Sequence, residues 1–266
     1  MSHNYQQLTY FDVGLTVLVG LIPLLLSLRF GLRLEKQMAM AVFRMVVQLW
    51  LVGMVLHWVF ALQSVWIILG CLLAMTLIAG LTVPTRVSKR YPKISLDALV
   101  SIFAASWSAG AFAVLMVVKP SPWYAPQYLI PLVGMILGNM LNGFTLGIER
   151  FLSDCHLRRD EIEASLALGA TRWEAGSTIV SDAIRTALIP IINAMMISGL
   201  VSLPGMLTGQ ILGGVSPLEA VKYQVMIMIL IFVSTALGSM LVILLAFHRL
   251  FSPSLRLNHA LLSQKS

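Results

Sequence analysis

Tyr223–Phe247 reads YQVMIMILIFVSTALGSMLVILLAF, an unbroken run without a single charge. A helix rises about 1.5 Å per residue, so about 20 apolar residues cross a hydrocarbon core of roughly 30 Å. Working outward from this run, six more stretches reach that length: near 9–28, 40–61, 64–84, 97–118, 127–148 and 188–212. Composition agrees, since 58% of the 266 residues are hydrophobic, 11% are charged and the mean hydropathy is +0.88. Soluble domains carry about 25% charged residues. An ordinary soluble enzyme and a disordered protein are therefore excluded, and two cysteines, Cys71 and Cys155, make no disulfide scaffold. The expected fold is an all-α integral membrane protein: one transmembrane domain over 1–266 with seven helices in the lipid bilayer.

Charge position sets the orientation. Arg29, Arg33 and Lys36, then Arg86, Lys89, Arg90 and Lys93, then Arg150, Arg158, Arg159, Arg172 and Arg185, then Arg249, Arg256 and Lys265 fall in alternate connections and the tail. Only Lys119 and Lys222 fall on the other side, and Arg44 lies within the second span. Basic residues stay in the cytosol, so the N-terminus is expected outside and the C-terminus inside. The net charge of +7 is thereby a membrane pattern, not a nucleic-acid surface. The first span has no basic residue before it and no A-x-A-like end, and is read as retained. Pro190, Pro204, Gly205 and Gly209 interrupt the sixth.

One cytosolic segment, 149–187, breaks the pattern of short connections and holds seven of the eleven acidic residues. A connection of that length usually has structure or function of its own. It reads as a helix-turn-helix. Asp160 is placed to cap the first helix, with Ile162 and Leu166 on one face. Gly169 can end it in a left-handed conformation. Thr171 and Glu174 form a T-x-x-E capping box for the second helix, with Trp173 near the turn. Such a hairpin either presses into a groove on a protein partner or lies on anionic lipid. Asp160, Glu161 and Glu163 favour the protein, because they would face a negative membrane surface.

Glu163-Ala164-Ser165-Leu166-Ala167-Leu168-Gly169-Ala170 resembles the EAA-type loop of ABC transporter permeases, the element that docks on the ATPase subunit. The importer pattern continues to a Leu-Pro some dozen residues past the glycine; Ser181-Asp182 stands there instead, and proline returns only at Pro190. The last third is more similar to the bacterial iron-export ABC permeases, related to plant aluminium-tolerance permeases. The likeness rests on Ser165–Thr171, on Asp182-Ala183-Ile184-Arg185, on Gly199–Met206 and on Pro217–Gln224.

The resemblance implies the permease subunit of an exporter, not itself an enzyme, in the bacterial inner membrane. It implies a homodimer working with two copies of an ABC ATP-binding subunit, which would hold ATP and magnesium; the permease would bind no cofactor. Glu163, Ala164, Leu168, Gly169, Ala170, Thr171 and Trp173 would form the coupling element, and iron would be the cargo. Another metal or a nucleotide sugar stays open as cargo, as does a membrane protein without transport whose hairpin binds a regulator.

The residues bear on energy and path independently. No G-x-x-x-x-G-K-[ST] phosphate loop occurs. The acidic residues fall at span ends or in connections, where no proton relay is evident. Energy is therefore expected from a partner. Gly134-x-x-x-Gly138 and Gly143-x-x-x-Gly147 allow close helix approach, and Asn139 and Asn142 either bond neighbouring helices or line a path. Ser198, Ser202, Pro204, Met206 and Gln210 mark a kink or break in the sixth span, expected near Leu203. Met195, Met196, Met206, Met226, Met228 and Met240 cluster in the last two spans. Thioethers suit soft ions such as Cu(I) and are poor ligands for iron, so packing is the simpler reading. The metal-binding residues stay unknown.

Overall fold

The computed structural model describes residues 9–251 and the backbone of 263–264. Arg256 and Lys265 of the basic tail, with His3 and His259, lie outside the described residues. The elements are α1 (Tyr10–Val19), α2 (Leu21–Phe30), α3 (Glu35–Leu62), α4 (Val65–Arg86), α5 (Ile94–Phe112), α6 (Pro126–Leu157), α7 (Arg159–Ala167), α8 (Arg172–Ile197), α9 (Gly205–Leu212) and α10 (Pro217–Leu250). Seven spans long and apolar enough to cross a bilayer result, α1 and α2 together making the first. The break at Gly20 follows from Pro23, which has no amide hydrogen for the Val19 carbonyl. Lys89–Arg90 and Ser263–Gln264 pair as a two-residue antiparallel ladder.

Close helix packing follows from small residues at the crossings. A Cβ on Gly143 would lie 2.6 Å from the Ala187 carbonyl oxygen, and one on Gly147 2.8 Å from the Ala187 Cβ. This second small-residue pair thus seats α6 on α8. Gly134 faces Met75 of α4, whereas Gly138 opens on empty space. Gly238 of α10 receives Phe144 of α6 in the same way. Between these contacts α6 buries Ile136, Met140, Phe144, Ile148, Phe151 and Leu152. Helices α4, α5, α6, α8 and α10 make the body, while α1 to α3 expose nearly their whole surface.

Hydrogen bonds gather the basic connections at one end. Asp97 at the start of α5 binds Arg249 near the end of α10 through two bonds of 2.5 and 2.7 Å. Ser88 donates its amide and hydroxyl to Glu149 of α6, and Arg172 donates to the Phe251 carbonyl. Burial holds the Lys89 ammonium below its usual range, and nearby Glu149 partly opposes this.

Three expectations are corrected here. The sixth membrane helix is α8, Arg172–Ile197, not a stretch near 188–212. Pro190 lies inside it, and the helix stops before Ser198, where Gly199 at φ +81° turns the chain into Ser202. The interruption is thus a full break that begins ahead of Leu203. Consequently the segment 149–187 is not one free connection: α6 runs through it to Leu157, α8 begins at Arg172, and α7 alone stands between them. Asp160 does not cap α7, since Arg158 holds the cap position and Asp160 lies in the first turn. Arg158 instead donates two bonds to Glu161, at 2.7 and 2.6 Å.

Candidate functional site

Two regions at opposite ends of α8 hold the residues singled out from sequence. The first is the α7–α8 turn at the basic end. Ala170 donates to the Ser165 carbonyl and Gly169 to the Leu166 carbonyl, both at 3.1 Å. These paired bonds close α7 in a Schellman motif, and Gly169 takes φ +95°, which a glycine adopts without strain. Thr171 and Glu174 then form the reciprocal capping box of α8.

Inward, Ile162 and Leu166 are buried in the body. Outward, Ala164, Leu168, Gly169, Thr171 and Trp173 are exposed, and Glu163 and Ala170 are half-buried. Leu168 is 90% exposed at the tip. Trp173 meets Phe247 edge-on at 5.7 Å, which fixes the turn against the end of α10. Arg159 binds Glu163 at 2.8 Å, and the bonds from Arg158 hold the Glu161 carboxyl below its usual range. Asp182 and Arg185 form a loose pair along α8 at 3.5 Å.

The second region surrounds the break. A cavity of about 280 Å³ brings together Asn139, Ser198, Ser202, Pro204 and Met206, with Met135, Gln224 and Met228. A neighbouring hollow of about 320 Å³ takes in Gln210, Met206 and Met135, with Gln127 and Tyr223. A third, about 290 Å³, lies beside Ser198, Pro204, Gln224, Met195 and Met228. Six of the seven residues expected on the path are therefore neighbours here. Asn142 is not: it accepts from Arg86 at 3.4 Å, nearer the basic end, while Asn139 donates to the Met135 carbonyl. Met196 and Met240 face outward from the bundle and line none of the three.

Over residues 10–251 the chain matches UPF0014, described as an uncharacterised protein family. The chain belongs to the UPF0014 family. It is 39% identical over 253 residues to the UPF0014 membrane protein slr1647 of Synechocystis sp., covering 95% of this chain and 97% of that one. It is 29% identical to the probable iron export permease protein FetB of Escherichia coli, covering 94% of each. The protein ALUMINUM SENSITIVE 3 of Arabidopsis thaliana is 34% identical, covering 85% of this chain and 83% of the plant one. No solved structure matches. As a UPF0014 member with seven spans among the described residues, the chain is a multi-pass membrane protein.

The sequence pattern did not mark Met135, Gln127, Tyr223 or Gln224 as site residues, and Gln224 is the most deeply placed of them at the break. Gln224 is 8% exposed, and its amide oxygen has no hydrogen-bond partner among the described residues. Within an apolar run a lone amide carries no spacing signal. Only the fold reveals that it faces the break in α8.

Proposed function

We propose that this chain is the membrane subunit of an ABC exporter that carries iron out of the cytoplasm, driven by ATP hydrolysed on a separate subunit. The observation that carries the reading is the α7–α8 turn. It is clamped to the bundle by Ile162, Leu166 and Trp173, yet presents Leu168 at its tip with no neighbour to cover it. An apolar side chain fixed outward on a rigid turn fits a groove on a partner. The basic end of the bundle then lies in the cytosol, where the ATP-binding subunits hold ATP and magnesium.

The turn and the cavity share one helix. Helix α8 has 26 residues, about 39 Å from the capping box to the break. Closure of the ATPase pair pushes the turn, and α8 carries the displacement to Ser198–Pro204. Pro190 removes one backbone bond near the far end and gives the helix a place to bend. The permease works as a homodimer with two ATPase copies. Support for the second copy comes from α6, whose Gly138, Asn139 and Asn142 are exposed on a face that would otherwise meet lipid with two amides.

Inverted membrane vesicles containing this chain and its ATPase test the reading. ATP-dependent iron accumulation above a hydrolysis-dead control is expected. ATP hydrolysis without iron uptake removes iron and leaves another metal or a nucleotide sugar as cargo. Absence of any bound ATPase removes the ABC assignment.

A further inference from the structure

The donor set around the α8 break has a chemistry of its own. Across the three hollows the lining residues include no Lys, Arg, His, Asp or Glu. Beside hydroxyls and amides such as Ser198, Ser202, Asn139 and Tyr223, they offer uncharged lone pairs: the amide oxygens of Gln224 and Gln210 and the thioethers of Met135, Met206 and Met228. Both amide oxygens are buried and neither has a partner among the described residues. An unsatisfied buried acceptor destabilises a fold by about 1–3 kcal/mol, so two facing linked hollows call for a ligand that supplies positive charge or donors.

A phosphate-bearing solute finds no cation here to pair with its charge. A highly charged ferric ion finds no carboxylate, and among the described residues no three of His, Cys, Asp and Glu gather anywhere. A divalent ion that keeps its water shell is different. Its waters donate hydrogen bonds outward, to acceptors such as the two amides. About six waters at about 30 Å³ each fill roughly 180 Å³, which the cavity of about 280 Å³ has room to hold. Neutral acceptors bind such an ion weakly enough to let it leave, as a transit site requires.

The geometry points to a transit site for an unchelated, hydrated divalent metal ion, with the Gln224 amide oxygen accepting from its water shell in the cavity of about 280 Å³ and the Gln210 amide oxygen doing so in the adjoining hollow of about 320 Å³. This rests on the export reading and narrows its cargo to Fe(II) rather than ferric iron or an iron chelate. The three methionines form a soft, weakly hydrated wall, and Gln127 and Tyr223 continue the polar lining into the neighbouring hollow.

Full-length protein in lipid nanodiscs, titrated without oxygen with Fe(II), Fe(III)–citrate and Cu(I), tests this. Fe(II) should bind, Gln224→Leu should weaken it at least tenfold, and Gln210→Leu should weaken it severalfold. Gln224→Glu, which keeps an acceptor and adds charge, should bind Fe(II) more tightly. Because Gln224→Leu removes an unsatisfied acceptor, its thermal midpoint should hold or rise. A fall in that midpoint would make Gln224 a structural residue and overturn the site. So would Fe(II) binding indifferent to both leucine variants, weakened binding by Gln224→Glu, or a preference for Fe(III)–citrate. Cu(I) binding lost in Met228→Leu, with no Fe(II) bound, would overturn it as well. Glutamine-dependent Fe(II) binding with no ATP-driven accumulation in vesicles would leave the site standing and sink the export reading.

Discussion

Gly169 separates conformational from steric effects. At φ +95° any other residue is strained by about 1–2 kcal/mol, yet an added Cβ meets nothing within 4 Å. Gly169→Val should therefore reshape the turn without disturbing the bundle. Recovery of the ATPase in a pull-down should drop at least tenfold while the melting temperature in detergent stays within a few degrees; Gly209→Ala, in open helical space, should do neither. Gly176 is the steric counterpart. A Cβ there would lie 2.6 Å from the Phe247 Cε2 and 3.0 Å from the Phe251 Cζ, on rings stacked 4.5 Å apart. Gly176→Ala should destabilise by about 1–3 kcal/mol, read as a lower melting temperature. Asp97→Asn should do the same by about 1–3 kcal/mol, since it leaves Arg249 without its charge partner, and adding Arg249→Met should recover most of the loss. Gly169 and the Thr171–Glu174 box were legible in sequence because caps and turns are decided by residues within four positions. Asp97–Arg249 and Gln224 were not, because their roles depend on neighbours more than a hundred residues away or on a cavity between four helices.

Helix α8 explains why the sixth span was misplaced. Arg172, Glu174, Asp182 and Arg185 in its first half lower the hydropathy that marks a span, although the backbone is helical from Arg172 onward. Hydropathy reports the solvent around a helix, and α8 begins outside the apolar layer. The other six spans were read to within several residues because each begins and ends in continuous apolar sequence, although α6 and α10 overrun it at both charged and polar ends. As a lever with one proline, α8 makes a separable prediction. Pro190→Ala restores a backbone bond and stiffens the far end. ATPase recovery should be unchanged, and iron accumulation in vesicles should fall severalfold.

In the whole molecule, one copy leaves the Gly138, Asn139 and Asn142 face of α6 uncovered. If α6 meets a second copy along Gly138, Asn139 and Asn142, then Asn139→Cys in a Cys71→Ser background should give a disulfide-linked dimer in oxidised membranes. Cys155 is buried and should stay silent, and a cysteine at buried Ser101 should leave the chain monomeric. A failure of Asn139→Cys to cross-link would assign that face to lipid.

Helix α6, finally, is longer than the layer it crosses. Its 32 residues span about 48 Å against a hydrocarbon core of roughly 30 Å, so the helix outruns the apolar layer by several turns. In the proposed assembly, that excess length places Asp160, Glu161 and Glu163 away from anionic lipid and open to the soluble ATPase. Recruitment of the ATPase should then be as strong in zwitterionic as in anionic vesicles, making assembly indifferent to the bilayer's own charge.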